Sequence, residues 1–537
     1  MICYGLIPAA GRSRNPLGVE LDNPAALNRI LGKPIITGIV ENLISVGIQE
    51  IFIGIEEFFR ESFELALAHV RKKANIILVS VDRQSEPLLT IKLLFEHIKI
   101  PGSVLINLGD TLLTLNKIFF DLDFAVYTST DYLDKSWSRV LVNSARKIAA
   151  FVEKGVESNE SSLETLCGVY WFRNFENLSR IIRSISSSGP ISNLLQENSD
   201  EILCIQSFDW IDSDHIEIFE KGKIKLLESR TFNQITLDNV KGEVIKRSDN
   251  KSKLRSEILY YEAIPITLKR YFPKMLDYRT DGKPMQVLEY IPWPTLSEIM
   301  NYQPLDHKSW EKIFVKLNDV IFNDFEGTYD YGFQSVSDEF YFKVLKRNNE
   351  LRLDNRFDSK LIDNNTVFVN GITLKTLSAL NDTLLHFLEA FKSKCTFIHG
   401  DFCGTNILIN LDGNIHFKFI DPRGGFIEST NIGPQVYDVA KLAHSAIGYY
   451  DAILADRFTL NGNKGNYILD FGDGGQRQVI EDSFLNCFVA DKFSLREVKI
   501  FTGLIMLGIP TFHLERRERA LAMYLRGLQL LNEGLEE

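Results

Sequence analysis

The stretch Phe397-Ile-His-Gly-Asp-Phe-Cys-Gly-Thr-Asn-Ile-Leu408, followed by Phe419-Ile-Asp-Pro422, decides the fold of the larger part of this chain. It places Asp401, then Asn406 after four intervening residues, and then Asp421, each beside strand-like apolar residues. Phosphoryl transfer from ATP uses such a set, because one carboxylate positions the acceptor hydroxyl while an amide and a second carboxylate hold Mg²⁺ on the phosphates. The stretch therefore predicts a catalytic Asp401 and two Mg²⁺ ligands, Asn406 and Asp421.

The residues His399-Gly-Asp401, with Asn406 and the later Ile420-Asp421, resemble the aminoglycoside phosphotransferase and choline kinase family. The Asp-x-x-x-x-Asn spacing is also that of the protein-kinase catalytic loop, which begins with His-Arg-Asp instead. The resemblance implies a two-lobed, kinase-like α+β domain that uses ATP and Mg²⁺. Within it, His399 is expected to brace the loop through hydrogen bonds.

Two charged residues upstream of this loop suit a nucleotide site, since a kinase needs a cation on the ATP phosphates and a partner that holds the cation. Lys246 ends an apolar strand, and Glu257 lies on the helix that follows. Both positions match the family, in which such a pair orders the nucleotide. Two neighbouring charges are alternatives for these roles: Arg247 and Glu262.

A candidate hinge lies in Gln286-Val-Leu-Glu-Tyr-Ile-Pro292. It resembles the family segment whose backbone contacts adenine, which assigns Glu289 and Ile291 to nucleotide binding. The sequence shows no Gly-rich loop over the phosphates, and the family often has none.

Two further charged residues lie near the predicted loop. Tyr437-Asp-Val-Ala440 resembles a helix start in the family whose aspartate supports the catalytic loop, so Asp438 is predicted to be structural. Arg423, in Asp421-Pro-Arg-Gly-Gly425, contacts substrate or phosphate, or else forms a structural ion pair, and both readings stay open.

The first 220 residues carry a second set of polar residues at the ends of apolar strands. A Gly-turn follows the strand at Ile7-Pro-Ala-Ala-Gly-Arg-Ser-Arg14, where backbone N–H groups can approach a triphosphate and a basic residue can stabilise pyrophosphate. Leu105-Ile-Asn-Leu-Gly-Asp110 and Trp210-Ile-Asp212 each end in an aspartate. The pattern assigns Ala10 and Gly11 to triphosphate binding, and it assigns Arg14 to catalysis as the basic residue that stabilises pyrophosphate.

Together with Leu31-Gly-Lys-Pro-Ile-Ile36 and Val152-Glu-Lys154, these segments resemble the sugar-phosphate nucleotidyltransferases, including the phosphocholine cytidylyltransferases. The resemblance implies a doubly wound, GT-A-like α/β domain. It also implies that Asp110 and Asp212 hold Mg²⁺ and that Lys154 contacts the phosphate of the acceptor.

The N-terminal motifs also depart from that family. Ser13 stands where a second glycine is expected, and Ala25 stands where the family has a lysine. Lys33 is assigned to the nucleotide site, whether or not it replaces that lysine. These departures leave open a domain that kept the fold and lost the reaction.

The order of predicted elements divides the chain into three parts. In the first part, predicted strands such as Glu50–Ile55 alternate with predicted helices such as Pro87–Ile98, which indicates a mostly parallel, doubly wound sheet. A hairpin over Thr231–Leu237 and Glu243–Arg247 and a helix over Ser252–Glu262 follow, and from Ser309 the pattern is largely helical except around the catalytic loop. The predicted domains are 1–225 (nucleotidyltransferase-like), 226–300 (kinase N-lobe) and 301–537 (kinase C-lobe).

The composition of the chain narrows the class of protein and its expected location in the cell. The 60 basic and 71 acidic residues give a net charge of −11, which disfavours a nucleic-acid-binding protein. No apolar run approaches the ~20 residues that span a bilayer, so no membrane insertion is expected. The six cysteines show no Cys-x-x-Cys pair, and the N-terminus lacks a signal-peptide pattern, so the expected location is the cytoplasm.

Both predicted chemistries use Mg²⁺ and a nucleoside triphosphate, and they can run in series. The hypothesis is a bifunctional enzyme that phosphorylates a sugar, polyol or amino alcohol with ATP and couples the phosphate to a nucleotide, with CTP favoured, for a surface polysaccharide. The alternatives are a kinase with an inactive nucleotidyltransferase-like binding module, and an antibiotic-modifying kinase. A choline acceptor would need an aromatic cage, for which four residues are available: Tyr290, Trp293, Tyr449 and Tyr450.

Overall fold

A computed structural model of the chain describes the following residues: 2–11, 23–30, 32–82, 86–115, 121–129, 137–156, 163–185, 191–196, 202–213, 215, 233–238, 241–248, 250–326, 333–334, 336, 338–423, 431–472, 475–488 and 492–536. The chain forms two compact units, Met1–Leu226 and Leu227–Glu537, called here the N-terminal unit and the C-terminal unit. Each has its own apolar core. Among the described residues, no helix combines the length and the apolar character needed to cross a membrane.

A nine-stranded mixed sheet forms the centre of the N-terminal unit. Seven strands follow one another across it in this order: Ile148–Val152, Arg139–Val142, Leu163–Phe172, Ser103–Asn107, Cys3–Pro8, Glu50–Ile55 and Asn75–Ser80. Phe124–Thr128 pairs with the long strand Leu163–Phe172, and Leu203–Gln206 pairs with Phe124–Thr128. The last four strands of this order are joined by three pairings, and all three are parallel.

The prediction of a mostly parallel sheet is wrong for the other side of this sheet. Leu163–Phe172 runs antiparallel to Ser103–Asn107, and the pairings beyond it to Arg139–Val142 and Ile148–Val152 are antiparallel too. Arg139–Val142 and Ile148–Val152 are joined by a short connection, and adjacent strands joined in this way pair antiparallel, whereas Leu203–Gln206 pairs in parallel with Phe124–Thr128. The sheet is therefore mixed.

Helices cover both faces of this sheet. Ile7 packs in one apolar core with Ile36 and Val40 of the helix Ile35–Ser45, while the preceding residue, Leu6, packs in a second core with Ile91 of the helix Pro87–Phe95. Successive strand residues point to opposite faces, so a strand buried on both sides is apolar throughout. Among the described residues of this unit, the other α-helices are Arg60–Leu67, Phe175–Ser184 and Asn193–Gln196. This two-sided arrangement matches the doubly wound prediction.

The C-terminal unit begins with a four-stranded antiparallel sheet. Its order is Asn233–Asp238, Glu243–Ser248, Met285–Glu289 and Met275–Arg279. The helix Lys251–Glu262 follows the first hairpin, and the Asn250 side chain accepts a hydrogen bond from Lys253 N at its start. The predicted hairpin and helix are thus present, with ends shifted by one or two residues.

The rest of the C-terminal unit is mainly helical. Its helices are Leu296–Tyr302, His307–Asp319, Lys343–Leu353, Lys360–Asp363, Asn381–Ala390, Gln435–Ala446, Tyr450–Leu454, Gln476–Phe488, Leu495–Gly508 and Arg517–Glu536. Its strands are Phe333–Gln334, Thr366–Val369, Ile372–Lys375, Ser393–Phe397, Ile407–Asn410, His416–Phe419, Ile432–Pro434, Thr459–Asn463 and Asn466–Asp470.

The sequence interpretation missed a small sheet. Four of these strands form it, in the order Ile372–Lys375, Thr366–Val369, Asn466–Asp470 and Thr459–Asn463. Two tight hairpins build it, one turning at Asn370-Gly371 and the other at Lys464-Gly465. Asn370 has a φ of 53° and Gly371 a φ of 79°, which are the positive values that a two-residue hairpin turn requires. The Asn-Gly pair was the available signal, but strands of four or five residues show too little alternation to stand out.

Candidate active site

A buried lysine joins two acids in the C-terminal unit. Lys246 lies on the strand Glu243–Ser248, and its Nζ is 2.8 and 2.6 Å from the two carboxylate oxygens of Glu257, on the following helix. The same Nζ is 2.7 Å from Oδ1 of Asp421. The side chains of Lys246 and Glu257 are 6% and 4% exposed, so each buried charge depends on the other for compensation.

The alternatives to this pair make other contacts. Arg247 Nη2 lies 3.7 Å from the sulfur of Met285, and the carboxylate of Glu262 accepts a hydrogen bond from the Tyr278 hydroxyl. The structure therefore brings Lys246 and Glu257, rather than Arg247 and Glu262, together with Asp421.

Charge and backbone both mark Asp421 as an unusual residue. Desolvation would raise the pKa of Asp421, but the Lys246 ammonium outweighs it and holds that pKa below its usual value. Asp421 has a φ of 54°, in the left-handed region that L residues seldom occupy. Such backbone strain occurs at functional sites more than elsewhere, since the surrounding structure must impose it.

Asp401 lies between a lysine and an amide. Its Oδ1 is 2.7 Å from Nζ of Lys441, while Asn406 Nδ2 donates to the Asp401 backbone oxygen at 2.9 Å and to Oδ2 at 3.2 Å. Burial would raise the pKa of Asp401, but the Lys441 ammonium beside it lowers that pKa well below its usual range. Asp401 is therefore a carboxylate at any pH near neutrality.

The loop that carries Asp401 is fixed from behind by Asp438. The backbone N–H groups of His399 and Gly400 donate to the two oxygens of Asp438 at 2.6 and 2.8 Å. Asp438 is 1% exposed, and burial raises its pKa to about 7. The prediction that Asp438 supports the loop is confirmed.

His399 is enclosed rather than exposed to substrate. Its Nδ1 accepts from Asp401 N at 3.3 Å, and the rings of Phe272, Phe402 and Phe419 pack around it. Burial lowers the pKa of His399 to about 4, so its imidazole is neutral at pH 7. These contacts confirm that His399 braces the loop.

Asn406 and Asp421 are brought together by a strand pair. Ile407–Asn410 pairs with His416–Phe419, and Ile420 N donates to the Asn406 backbone oxygen at 2.9 Å. Because the amide nitrogen of Asn406 is directed at Asp401, its Oδ1 is available to another partner. One amide oxygen and one carboxylate form a hard-oxygen set that suits Mg²⁺.

A Mg²⁺ ion at Asn406 and Asp421 would need further ligands from outside the chain. Among the described residues, no group of three or more His, Cys, Asp or Glu side chains could hold a metal ion alone. Mg²⁺ usually takes one or two carboxylates and completes its octahedron with phosphate oxygens and water. The donor set at Asn406 and Asp421 fits a metal that is bound with a nucleotide.

The predicted hinge leads out of the antiparallel sheet. Glu289 N donates to Lys274 O at 2.9 Å, and Tyr290 N donates to Gly242 O at 2.8 Å. Ile291, two residues after Glu289, has no hydrogen-bond partner among the described residues, so its backbone N–H is available to a ligand.

In the N-terminal unit, the candidate residues lie where parallel strands end. Cys3–Pro8 and Ser103–Asn107 are parallel neighbours, so Gly11 and Asp110 follow strand ends at the same edge of the sheet. Thr111 pairs with Asp212, and Ser213 N donates to Asp110 O at 2.9 Å. The backbone thus brings the two predicted metal ligands, Asp110 and Asp212, to adjacent positions.

The segment with the phosphate turn reaches the same place. Ala25 N donates to Gly11 O at 2.9 Å, and the Ser213 hydroxyl is 3.2 Å from Ala25 O. Asp212 is 5% exposed, and its Oδ2 accepts from Trp137 Nε1 at 2.7 Å and lies 3.1 Å from His215 Nδ1.

Two of the three basic residues predicted for this unit, Lys33 and Lys154, are among the described residues. Lys33 forms an ion pair with Glu41, which also contacts His69. Lys154 is exposed in the turn after Ile148–Val152. Arg14 lies outside the described residues, while Ala10 and Gly11 follow the first strand as predicted.

Lys441 is the functional candidate that sequence interpretation missed. It lies on the helix Gln435–Ala446, three residues after Asp438, and its side chain is 13% exposed. A lysine within a helix that is otherwise almost wholly buried was the available signal, because a buried lysine needs a partner.

No family model matches the chain, and no curated protein matches it. Solved structures similar to it include UDP-glucose pyrophosphorylase complexed with UDP-glucose (17% identity, TM-score 0.36, covering 43% of this chain and 100% of that chain). They also include the inositol-1-phosphate CTP transferase from T. maritima (17%, 0.34, 43% and 98%) and HddC from Yersinia pseudotuberculosis (17%, 0.34, 42% and 100%). No residue's role in this chain follows from likenesses at these TM-scores.

Proposed function

We propose that this chain phosphorylates a small alcohol with ATP in its C-terminal unit and couples the phosphate to a nucleotide in its N-terminal unit. The observation that carries the kinase part is the contact of Lys246 with both Glu257 and Asp421, beside the loop of Asp401 and Asn406. Kinases need such a lysine–glutamate pair and a metal-binding aspartate in place together. The proposed domains are 1–225, a kinase N-lobe at 226–300 and a C-lobe at 301–537.

In the kinase step, the acceptor hydroxyl oxygen attacks the γ-phosphorus of ATP, the bond to the β–γ bridging oxygen breaks, and ADP leaves. Asp401 accepts the hydroxyl hydrogen bond and receives the proton as the new bond forms. Because Lys441 keeps Asp401 ionised, the carboxylate mainly orients the hydroxyl rather than acting as a strong base. Lys246 binds the phosphates, and Asn406 and Asp421 would hold Mg²⁺, which neutralises phosphate charge when bound.

The nucleotide base contacts the hinge in this proposal. The backbone of Glu289 and Ile291 would form hydrogen bonds with adenine at the edge of the antiparallel sheet. The backbone N–H of Ile291, which no described residue engages, supports this assignment.

In the second step, a phosphate oxygen of the kinase product attacks the α-phosphorus of a nucleoside triphosphate, and pyrophosphate leaves. Asp110 and Asp212 would hold Mg²⁺, while Ala10 and Gly11 would contact the triphosphate through backbone N–H groups. The adjacent positions of the two aspartates support this step. CTP as the nucleotide and a surface-polysaccharide precursor as the product come from the family resemblance alone.

A second candidate function is a kinase with an inactive nucleotidyltransferase-like binding module. Two observations favour it. Ala25 stands where the family has a lysine, and Lys33 forms an ion pair with Glu41.

The two candidates differ in one product. The full chain should be incubated with ATP, Mg²⁺, candidate alcohols and each of the four nucleoside triphosphates, while ADP and pyrophosphate are measured. We expect ADP with a competent alcohol, and pyrophosphate only when the phosphorylated alcohol is present. ADP without pyrophosphate would favour the inactive module, and no ADP above an Asp401→Asn background would contradict the kinase proposal.

A further inference from the structure

A group of basic side chains lies around Tyr437, on the helix that also carries Lys441, the partner of Asp401. The two oxygens of Asp401 face different partners, since Oδ2 meets Asn406 and Oδ1 meets Lys441. Lys441 and Tyr437 are four residues apart on one helix and therefore share a face. Tyr437 therefore lies on the Lys441 side of Asp401, whereas the proposed metal ligand Asn406 contacts the other carboxylate oxygen.

Tyr437 is in contact with two more cations. Arg423 Nη1 donates to the Tyr437 hydroxyl at 3.2 Å, and Lys343 Nζ lies 5.6 Å from the centre of the Tyr437 ring. Tyr437 is 4% exposed, so these charges gather around a buried phenol. We call Lys343, Arg423 and Lys441 the basic cluster.

A fourth cation, Arg347, lies near the basic cluster and contributes to its electrostatic field. Arg347, one turn after Lys343 on the helix Lys343–Leu353, is held by Gly508 O at 2.7 Å and stacks over the Phe512 ring. Its position fixes a positive charge behind Lys343.

The charges of the basic cluster act on one another and on Tyr437. Burial lowers the pKa of Lys343, Tyr437 acts in the opposite direction, and the neighbouring Arg423 and Arg347 lower that pKa further. Burial would raise the pKa of Tyr437, but Lys441, Lys343 and Arg423 together hold it below its ordinary value. Cations that are removed from water and repel one another would be relieved by a bound anion.

Two of the four aromatic residues considered for a choline cage, Tyr449 and Tyr450, already contact other side chains. The guanidinium of Arg526 lies 4.6 Å from the centre of the Tyr449 ring, and the Tyr449 hydroxyl donates a hydrogen bond to the Glu481 carboxylate. Tyr450 is stacked on His444 at 4.4 Å between ring centres. A quaternary ammonium would also meet the basic cluster, and like charges repel.

We propose that the alcohol phosphorylated by this site carries a negative charge of its own, a carboxylate or a phosphate, which the basic cluster binds while the hydroxyl faces Asp401. The proposal rests on the proposed kinase activity of the same site. Lys343 and Arg423 are specificity residues in this arrangement, and Lys441 both positions Asp401 and contributes to the field. The acceptor class becomes hydroxy acids or polyol phosphates rather than neutral sugars or choline.

Matched acceptors test the charge directly. ADP formation should be measured with three-, four- and five-carbon polyols, with their monocarboxylic acids and monophosphates, and with choline. We expect kcat/KM for at least one acid or phosphate to exceed that of its parent polyol and of choline by about 30-fold or more. The carboxylate and phosphate series separate the two sources of charge.

Variants on one helix supply the control. Lys343→Met should raise the KM of the anionic acceptor about tenfold while changing the KM of ATP less than twofold. Lys346→Met, which changes an exposed lysine of the same helix, should leave both constants unchanged. Titration calorimetry with a non-hydrolysable ATP analogue and Mg²⁺ present should show the acid bound by wild type and about tenfold more weakly by Lys343→Met.

The outcomes separate this proposal from the one on which it rests. A neutral polyol or choline that is phosphorylated as well as every anion would overturn the anionic acceptor and leave the kinase standing. So would the absence of calorimetric binding for all the acids and phosphates. ADP at the Asp401→Asn background with every acceptor would instead remove the kinase proposal itself.

Discussion

The two candidate sites are built in different ways. In the C-terminal unit, charged side chains meet each other directly, as Lys246 meets Glu257 and Asp421, and Lys441 meets Asp401. In the N-terminal unit, Asp110 and Asp212 are brought together by backbone pairing, and Asp212 contacts Trp137 and His215.

This difference shows how strongly each site supports a function. Burying a charged side chain costs much free energy unless an opposite charge compensates it. A chain that buries several such ion pairs therefore indicates that their arrangement serves a function. Two aspartates at the end of a sheet can also be structural. The C-terminal site therefore carries the stronger functional proposal, and the predictions below test whether the two sites differ as the comparison implies.

The largest expected effect is at Asp401. Asp401→Asn should lower the rate of ATP-dependent phosphorylation by about 10³-fold or more and leave ATP affinity nearly unchanged, because the carboxylate acts only in the chemical step. ADP formation and nucleotide binding should be measured together. Asp412→Asn, an exposed aspartate in the nearby hairpin turn, is the control. A wild-type rate in Asp401→Asn would show that the catalytic loop is misassigned.

The next effect concerns the metal. Asp421→Ala should lower turnover by about 100-fold and raise the Mg²⁺ concentration needed for half-maximal rate, since a carboxylate ligand joins protein and metal. Lys246 would keep its contact with Glu257, so melting should change little. Rates measured across a Mg²⁺ titration decide the matter, and an unchanged Mg²⁺ dependence would remove Asp421 from the metal site.

A comparable loss confined to the other unit is expected from Asp110→Ala. Pyrophosphate release should fall by about 100-fold because the triphosphate loses a metal ligand. The kinase rate should stay at the wild-type value, since the two sites lie in separate units. If wild type releases no more pyrophosphate than Asp110→Ala with any triphosphate and its own kinase product, the inactive module is the better description.

A smaller effect follows from the buried His399. An unfolded histidine takes up a proton near pH 6.5, whereas His399 in the folded chain has a pKa of about 4. The free energy of unfolding therefore falls as the pH is lowered between these values. The contribution is about 3 kcal/mol. Urea unfolding at pH 7 and pH 4.5 should show a smaller loss for His399→Gln than for wild type. Equal losses would mean that His399 is not the group responsible.

The smallest expected effect is that of cutting the chain. A fragment ending near Ser229 should fold by itself and melt cooperatively, because about 225 residues suffice for one α/β core. Its pyrophosphate release should equal that of the full chain. Aggregation and a broad melting transition would argue that the two units share a core or that the boundary lies elsewhere.

Much of the local structure could be predicted from the sequence. The strand Glu50–Ile55 has the bounds that its apolar pattern predicts, and the helix Pro87–Phe95 begins at its proline. Proline suits the first helical turn, where its missing N–H is not needed. The antiparallel half of the N-terminal sheet could not be predicted in this way, since pairing between distant strands leaves no local period.

The sequence by itself determined the residue types and spacings of the two sites, including Asp401, Asn406 and Asp421 on one segment. Only the tertiary structure decided that Lys246 reaches Asp421 across 175 residues of chain and that Lys441 pairs with Asp401. The physical reason is that periodicity and turn preferences act between near neighbours along the chain. The partner of a buried charge is set instead by how separate strands and helices pack.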